Sequence, residues 1–324
     1  MKLVSFLIAC AVALGGTLAA RAETFPAKPI TMIVPFPAGG ITDIVARLVS
    51  ERMKTSLGQP VIVENIGGAG GTIGVSRLSR SASDGYTIAI GQWTSHVGAS
   101  VMYSLPFDYQ KDFEPISLLS VGPLWIIGRK DFPANNAKEL IAWLKANPNK
   151  ATAGTIGPGS GIHMCLVYFA EKTGTTMQYV PYRGAAPVMT DLIAGQIDLS
   201  CPEAGQTLSQ YRSGSIKAFG VFTEKRWFAA PDVQTIEEAG VPGVQFPFWH
   251  GLWAPKGVPK DVIAKLNAAV VEALADATVR QRLTELGHEV APANLQNPEA
   301  LAAYYKAEID KWTPIIKAAN IKLQ

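Results

Sequence analysis

Two glycine-rich turns, each followed by residues with helical hydrophobic spacing, carry the clearest chemistry in this sequence. The first turn consists of Pro37, Ala38, Gly39 and Gly40, with Thr42 and Asp43 close behind. The unpaired N–H groups at a helix start and the positive end of its dipole favour a bound anion. Bare glycines leave the main chain open to such an anion. The alternative is that glycines here only make a tight turn.

The same arrangement recurs further along the chain, where a strand of small residues ends in a second glycine-rich turn. Gly157, Gly159 and Gly161 surround Ser160, which is either a plain helix cap or a cap whose hydroxyl also meets the ligand. A third glycine-rich turn lies at residues 65–74. Two anion-ready helix starts in one chain predict two lobes that face one ligand.

Several side chains near these turns have both a binding and a structural interpretation. Asp43 would repel an anion, so we expect it to cap its helix, and Thr42 is the better ligand donor. Arg183 either clamps a carboxylate with its guanidinium or lies solvated on the surface. Glu203 either accepts a hydrogen bond from a ligand amine or hydroxyl, or it is exposed to solvent.

The aromatic and histidine side chains also have both a binding and a structural interpretation. Trp93 either stacks on a flat ligand or fills an interface between the lobes. His96 and His163 flank glycine turns, and the default for each is a neutral ring that makes one hydrogen bond rather than a ligand contact. We expect Trp249 and His250 to pack around a strand that crosses between the lobes.

Strand and helix signals alternate along the chain, which predicts βαβ units and an α/β fold with mainly parallel sheets. Beyond residue 255 the tail is mostly helical, so it cannot build a third sheet and we expect it to return to the first lobe. The predicted first lobe is residues 23–123 plus 247–324, and the second is residues 124–246. Hinge crossings are expected near residues 120–127 and 244–252.

The N-terminal 22 residues have the pattern of a cleavable secretory signal, with Lys2, an apolar run and an Ala20-Arg21-Ala22 motif. We therefore expect a periplasmic protein. The chain has 29 basic and 26 acidic residues without a long basic run, so nucleic acid is a poor partner. An oxidising compartment permits Cys165 and Cys201 to pair, although two buried thiols are the interpretation we favour.

The signatures of common enzymes are absent from the sequence. It contains no P-loop motif, no serine in G-x-S-x-G and no H-E-x-x-H, and its four histidines are far apart. We expect no catalytic residue, no cofactor and no metal, and a monomeric binding protein. The main rival is an extracellular enzyme whose catalytic residues meet only in space and act on a small carboxylic acid.

Ordered motifs along the chain resemble the Bug-type receptors of tripartite tricarboxylate transporters. The motifs are Val34-Pro-Phe-Pro-Ala-Gly-Gly-Ile-Thr-Asp43, Gly58-Gln-Pro-Val-Ile-Val-Glu-Asn65, Gly68-Ala-Gly-Gly-Thr-Ile-Gly74, Asp84-Gly-Tyr86, Val180-Pro-Tyr-Arg-Gly-Ala-Ala-Pro187, Asp191-Leu-Ile-Ala-Gly-Gln-Ile-Asp198 and Glu238-Ala-Gly240. The resemblance runs over nearly the whole chain after the signal. It implies a periplasmic receptor with a two-lobed, type II Venus-flytrap fold that passes a small organic carboxylate to a membrane permease.

The resemblance also implies which residues line the cleft. Pro37 to Gly40, Thr42 and Asp43 would form the first contact, and Thr155 to Ser160, including Gly157, would form the second. Tyr182, Arg183 and Gly184 would form the third. The loop implied for the remaining wall runs from Gln92 to His96 and includes Trp93, Thr94 and Ser95.

The chain departs from the usual family pattern at two places. The run at the second turn is Thr155-Ile-Gly157 instead of a Ser-Ser-Gly-like run, and Leu199-Ser-Cys-Pro-Glu203 stands where Met-Phe-Asp is common. The carboxylate grip is expected to persist, whereas the distal specificity pocket differs. An alternative function is a periplasmic sensor subunit that presents its ligand to a membrane signalling protein.

Overall fold

The computed structural model describes residues 24–319, and the predicted signal peptide lies outside them. Within that range no helix combines the length and apolar character needed to cross a membrane. The strands are β1 (Ile30–Val34), β2 (Val61–Asn65), β3 (Thr87–Gln92), β4 (Phe113–Pro123), β5 (Trp125–Arg129), β6 (Thr152–Thr155), β7 (Gln178–Pro181), β8 (Leu199–Ser200), β9 (Ile216–Val221), β10 (Pro247–Pro255) and β11 (Glu289–Val290). The helices are α1 (Ile41–Leu57), α2 (Thr72–Ser79), α3 (Ala99–Met102), α4 (Ala137–Ala146), α5 (Gly161–Thr173), α6 (Ala185–Ile193), α7 (Ala204–Arg212), α8 (Lys260–Ala275), α9 (Ala277–Glu285) and α10 (Pro298–Ala318).

The strands form two separate sheets. The first has the order β11-β4-β10-β3-β1-β2, and the second has the order β7-β6-β8-β5-β9. In the first sheet β1 is parallel to both neighbours, but β10 is antiparallel to β3 and β4. In the second sheet β6 is parallel to β7 and β8, whereas β5 is antiparallel to β8 and β9. The α/β class and the two sheets agree with expectation, but both sheets are mixed rather than mainly parallel.

The chain passes between the two sheets twice. It leaves the first sheet at Pro123 and enters the second at Trp125, and it returns between Val221 and Pro247. The returning strand β10 enters the first sheet between β3 and β4. Because it arrives from the other sheet it runs against its neighbours, which explains the mixed pairing.

Helix α1 shows why the sequence folds as it does next to the first turn. Its apolar positions recur every three or four residues, and Val45, Val49 and Met53 are fully buried. The helix begins after Gly40, which offers no side-chain cap, and ends at Gly58 in a left-handed conformation. The Gly58 N–H bonds to the Lys54 carbonyl, so the end of the helix is satisfied.

An aromatic cluster joins the parts of the chain that carry the two sheets. The Trp93 ring lies 4.7 Å from Phe246 and 4.9 Å from Trp312 between centroids. Trp312 on α10 also contacts Tyr168 on α5 at 5.0 Å. The tail helix therefore packs on residues from both sides.

A second contact between the parts of the chain that carry the two sheets depends on two glycines. The Trp227 indole N–H donates to the Gly287 carbonyl at 3.0 Å. A Cβ on Gly205 would collide with the Leu286 carbonyl, and a Cβ on Gly287 would collide with the Trp227 ring. These backbones approach closely only because neither position carries a side chain.

Cys165 and Cys201 form a disulfide, with their Cα atoms 6.1 Å apart. Our preference for two buried thiols was therefore wrong. The bond ties α5, which begins beside the second glycine turn, to the segment that leads into Glu203. Spacing along the chain gave no measure of that distance, so the pairing could not be derived from the sequence.

Other differences lie in short or poorly signalled elements. The sequence analysis did not foresee α7, β11 or the π-helical turn at Thr94–Gly98. A proline inside a helix favours an interruption, but α10 continues through Pro314 to Ala318. Pro314 lies in the last turns, where few helical hydrogen bonds remain to be lost.

Candidate functional site

A cavity of about 870 Å³ lies between the two sheets, within the usual size range of small-molecule sites. Both sides of the molecule contribute to it. It is lined by Phe36, Pro37, Ala38, Gly39, Gly40, Ile41, Thr42, Gly68, Gly70, Gly71, Gln92, Thr94, Met102, Tyr103, Leu124, Ile156, Gly157, Pro158, Gly159, Ser160, Gly161, Ile162, Arg183, Gly184, Ala185, Ala186, Pro187, Glu203, Gln206 and Phe248.

The first glycine turn lies on the cavity wall, with the start of α1 behind it. Gly39 adopts φ +82°, a conformation that favours glycine, and its N–H donates to Asp43 Oδ2 at 2.9 Å. Asp43 also accepts hydrogen bonds from Arg47 and Asn65. Burial opposes ionisation of Asp43, but the hydrogen bonds from Arg47, Gly39 and Asn65 outweigh it and lower its pKa.

Asp43 therefore braces the turn from behind and does not line the cavity. This agrees with the expectation that it has a structural role near the cap. It corrects the resemblance, which placed Asp43 among the contact residues. Pro37, Ala38, Gly39, Gly40 and Thr42 do line the cavity.

The second turn lies at the start of α5. The Ser160 hydroxyl accepts the His163 N–H at 3.2 Å and donates to the Gly157 carbonyl at 2.8 Å. Its one proton is thus used within the turn, so Ser160 acts as a helix cap while still lining the cavity. The Gly161 N–H donates to Thr94 Oγ1 at 3.1 Å, a bond between the two sides of the cleft.

Thr155 and His163 support the second turn but do not line the cavity. His163 Nδ1 accepts the Gly159 N–H at 3.1 Å, and its ring packs edge-on against Tyr179. Burial lowers the pKa of His163 to about 4, so the ring is neutral at pH 7. Thr155 is buried beside the Gly157 N–H. His163 is thus a neutral ring that makes a hydrogen bond within the protein, which was its default interpretation. Thr155, which the resemblance placed in contact with the ligand, does not line the cavity.

The turn at residues 182–184 precedes α6, and its cap residue Gly184 provides no side-chain hydrogen bond. Arg183 and Gly184 line the cavity, and Arg183 is exposed and makes no ion pair with the described residues. It is the one basic side chain among the lining residues. Tyr182 points away and donates to Asp191 at 2.7 Å, so it braces α6 and is not part of the wall.

Trp93, Ser95 and His96 were expected on the remaining wall, but all three are buried in the interior. His96 packs against Trp253 at 4.1 Å, and burial lowers its pKa to about 3. Trp93 fills the aromatic cluster described above. The loop continues as a π-helical turn, which rotates these side chains inward and leaves Gln92 and Thr94 on the cavity wall.

Glu203 lines the cavity and is only 8% exposed, so the interpretation as a solvent-exposed side chain does not hold. Its carboxylate accepts from His288 Nε2 at 3.1 Å and from Gln206 Nε2 at 3.2 Å. His288 Nδ1 lies 3.4 Å from Ser120 Oγ.

The chain of contacts continues from Ser120 to the first turn. Ser120 Oγ lies 3.5 Å from His250 Nδ1, and His250 Nε2 lies 3.1 Å from Thr42 Oγ1. Burial, together with the neighbouring His288, holds the pKa of His250 well below its usual range. We call the five residues Thr42, His250, Ser120, His288 and Glu203 the buried relay.

Several lining residues were missed by sequence reasoning. The polar one is Gln206, and the larger apolar ones are Phe36, Met102, Tyr103, Leu124, Ile162 and Phe248. Most lie one or two residues from a glycine turn or a predicted crossing, which is the signal that would have found them. Gln206 lies on the unpredicted helix α7.

Between residues 24 and 319, no group of three or more His, Cys, Asp or Glu side chains is arranged to hold a metal ion. The cavity is instead lined by three helix starts, one arginine and one acidic group. Helices α1 and α6 begin without a side-chain cap, and α5 is capped by Ser160. The N-terminal ends of α1, α5 and α6 all lie on this cavity. The arrangement is suited to an anion.

Comparison with known proteins places these observations in a family. The model of the tripartite tricarboxylate transporter family receptor matches residues 45–321. The structure of the periplasmic binding protein BugD is 41% identical, covers 93% of this chain and 100% of its own, and has a TM-score of 0.82. MatC from Rhodopseudomonas palustris with bound malate is 35% identical, covering 90% and 100%, with a TM-score of 0.82. A protein of R. palustris solved with adipate is 30% identical, covering 92% and 99%, with a TM-score of 0.83.

Proposed function

The chain belongs to the tripartite tricarboxylate transporter receptor family, and we propose that it captures a small organic carboxylate in the cleft for delivery to a membrane permease. Its relatives are periplasmic binding proteins and receptors, and it is a solute-binding receptor rather than an enzyme. Periplasmic location, the carboxylate class and the permease are parts of this proposal.

One observation carries the proposal: the starts of α1, α5 and α6 converge on one cavity together with Arg183. Each helix start stabilises an anion by roughly 0.3–1 kcal/mol when exposed and up to about 2 kcal/mol when partly buried. Charge-assisted hydrogen bonds add roughly 1.5–3 kcal/mol each. Together these terms reach the ~8 kcal/mol of a micromolar complex after ordering costs.

The relatives support the carboxylate class. MatC was solved with malate and a second R. palustris protein with adipate, and both ligands are dicarboxylates. Sequence identity of 30% or more over most of both chains supports a similar grip here. The apolar lining residues leave room for the carbon skeleton of such an acid.

We propose that the two sides of the cleft are lobes that close on the ligand. Within the described residues, 24–123 plus 247–319 form the first lobe and 124–246 the second, with hinges near 120–127 and 244–252. The sheet topology supports this division because the chain changes sheets at those two places. The bond from Gly161 N–H to Thr94 joins the lobes inside the cleft, where closure excludes water and strengthens the polar contacts.

The test is calorimetric titration of the mature protein with carboxylic acids and with the corresponding neutral amides. We expect an acid to bind and its amide not to bind. Gly40→Ala and Gly40→Phe make a graded pair, because a Cβ at Gly40 meets only the Pro37 carbonyl at 3.6 Å and the backbone is not strained.

The Ala variant should bind within about tenfold of wild type, whereas the Phe side chain should fill the site and reduce affinity at least about a hundredfold. Circular dichroism melting of both variants controls for folding. A folded Gly40→Phe protein that binds normally would show that the site lies elsewhere.

A further inference from the structure

The buried relay connects the two walls of the cleft, and both of its ends lie on the cavity. Thr42 belongs to the first glycine turn, and Glu203 precedes α7 on the opposite side. Between them lie His250, Ser120 and His288, all 2% exposed or less. Buried polar groups of this kind need a partner for each donor and acceptor, so the protons along the relay are arranged in a definite order.

The order follows from Glu203. A carboxylate only accepts, so His288 Nε2 must carry the proton that it donates across 3.1 Å. In a neutral ring His288 Nδ1 is then an acceptor, and it takes the single hydroxyl proton of Ser120. Ser120 Oγ can therefore only accept from the His250 ring.

The same reasoning fixes the other end of the relay. His250 Nδ1 donates to Ser120, so Nε2 of this neutral ring accepts the Thr42 hydroxyl proton at 3.1 Å. The Thr42 oxygen is left with lone pairs and no proton for the cavity. This reverses the sequence-based expectation that Thr42 donates to the ligand.

Glu203 also keeps acceptor capacity toward the cavity. Its two oxygens offer about four lone-pair positions, and the contacts from His288 and Gln206 use two of them. The cavity thus presents helix N–H groups and Arg183, which suit a carboxylate, together with two acceptors on opposite walls. A hydrocarbon group beside these acceptors would leave them without a hydrogen bond. A second ligand carboxylate beside Glu203 would be repelled by its negative charge.

We propose that Thr42 and Glu203, set as acceptors by the buried relay, select a carboxylate that also carries a hydroxyl or ammonium donor over the same acid without one. This inference rests on the proposed function and names the ligand class for that site. His288 acts as a positioning residue, because it fixes the proton order without touching the ligand.

The experiment uses matched acids that differ only in the donor. Succinate, L-malate and L-aspartate form one set, and adipate and 2-aminoadipate form a second. Dissociation constants are measured at pH 8, where His250 is neutral because burial holds its pKa well below the usual range. In whichever set binds more tightly, the donor-bearing acid should bind at least about tenfold more tightly than the acid without a donor. Within the first set, comparing aspartate with malate shows whether ammonium or hydroxyl is preferred.

Variants connect the preference to the two acceptors. Glu203→Gln and Thr42→Val should each reduce the ratio of affinities at least threefold. Thr42→Ser keeps the hydroxyl and should keep the ratio. Glu299→Gln removes an exposed carboxylate on α10 outside the cavity lining and should change nothing. Melting temperatures without ligand control for folding, and the ratio is a readout that loss of folded protein does not alter.

A wild-type ratio near one, or a ratio unchanged in Glu203→Gln, would overturn this inference while leaving the carboxylate receptor intact. If neither these acids nor the wider acid series binds at all, the proposed function fails and this inference fails with it. The two failures are therefore distinguishable.

Discussion

The disulfide between Cys165 and Cys201 gives a stability prediction that can be worked out from the structure. The bond closes a loop with a sequence separation of 36 residues. In the chain-entropy account, removing a cross-link of that span restores about 13 cal/mol/K to the unfolded chain, or about 4 kcal/mol at 25 °C. Reduction, or the double variant Cys165→Ala/Cys201→Ala, should therefore lower the free energy of unfolding by up to about 4 kcal/mol.

Urea denaturation of oxidised and reduced wild-type protein measures this effect without creating a cavity. With a slope of roughly 2–3 kcal/mol/M, the midpoint should fall by up to about 1.3–2 M. The double variant is the second measurement. Thiol titration in denaturant, on protein without the predicted signal segment and its Cys10, should find no free thiol in the oxidised form. Equal midpoints for the two redox forms, or two free thiols before reduction, would refute the reasoning.

Four further changes have directions that follow from the site. Lowering the pH from 7 to 5 should reduce the free energy of unfolding, because the unfolded chain takes up protons below about 6.5 that folded His163, with a pKa of about 4, and His96, with a pKa of about 3, do not accept. The limit is about 1.4 kcal/mol per pH unit for each histidine, and equal urea midpoints at both pH values would contradict it. His163→Ala removes the acceptor for the Gly159 N–H and should cost about 1–3 kcal/mol in urea titrations. Arg183→Ala should weaken carboxylate binding about tenfold in calorimetry, whereas Arg80→Ala, exposed at the far end of α2, should not. Gly205→Ala forces a Cβ against the Leu286 backbone and should cost about 1–3 kcal/mol, and a melting temperature equal to wild type would show that the two sides can separate there freely.

The sequence was sufficient where the signal was local. Hydrophobic periodicity indicates a helix directly after the first glycine turn, where α1 is observed, because one face of that helix packs against a sheet. The first glycine turn was singled out because bare glycines before a helix leave the main chain open, whereas the position of Arg183 stayed open between the cleft and the surface. The capping role of Ser160 followed from its position before a helix.

The rest depended on contacts between residues far apart in the chain. Trp93 and His96 were misplaced because a π-helical turn rotates them into the interior, and no local pattern announces such a turn. The partners of Glu203 and Thr42 are 85 and 208 residues away, so the buried relay could not be read from spacing. The pairing of Cys165 with Cys201 could not be decided from the sequence for the same reason.

In the proposed carboxylate receptor, the grip on the anion relies largely on main-chain N–H groups at helix starts, which every amino acid except proline supplies. Mutation can therefore remodel most of the cleft wall without erasing the capacity to hold a negative charge. Choice among acids rests instead on a handful of replaceable side chains. Such a division lets a lineage of receptors acquire new nutrients by few substitutions, while its basic capture device persists unaltered.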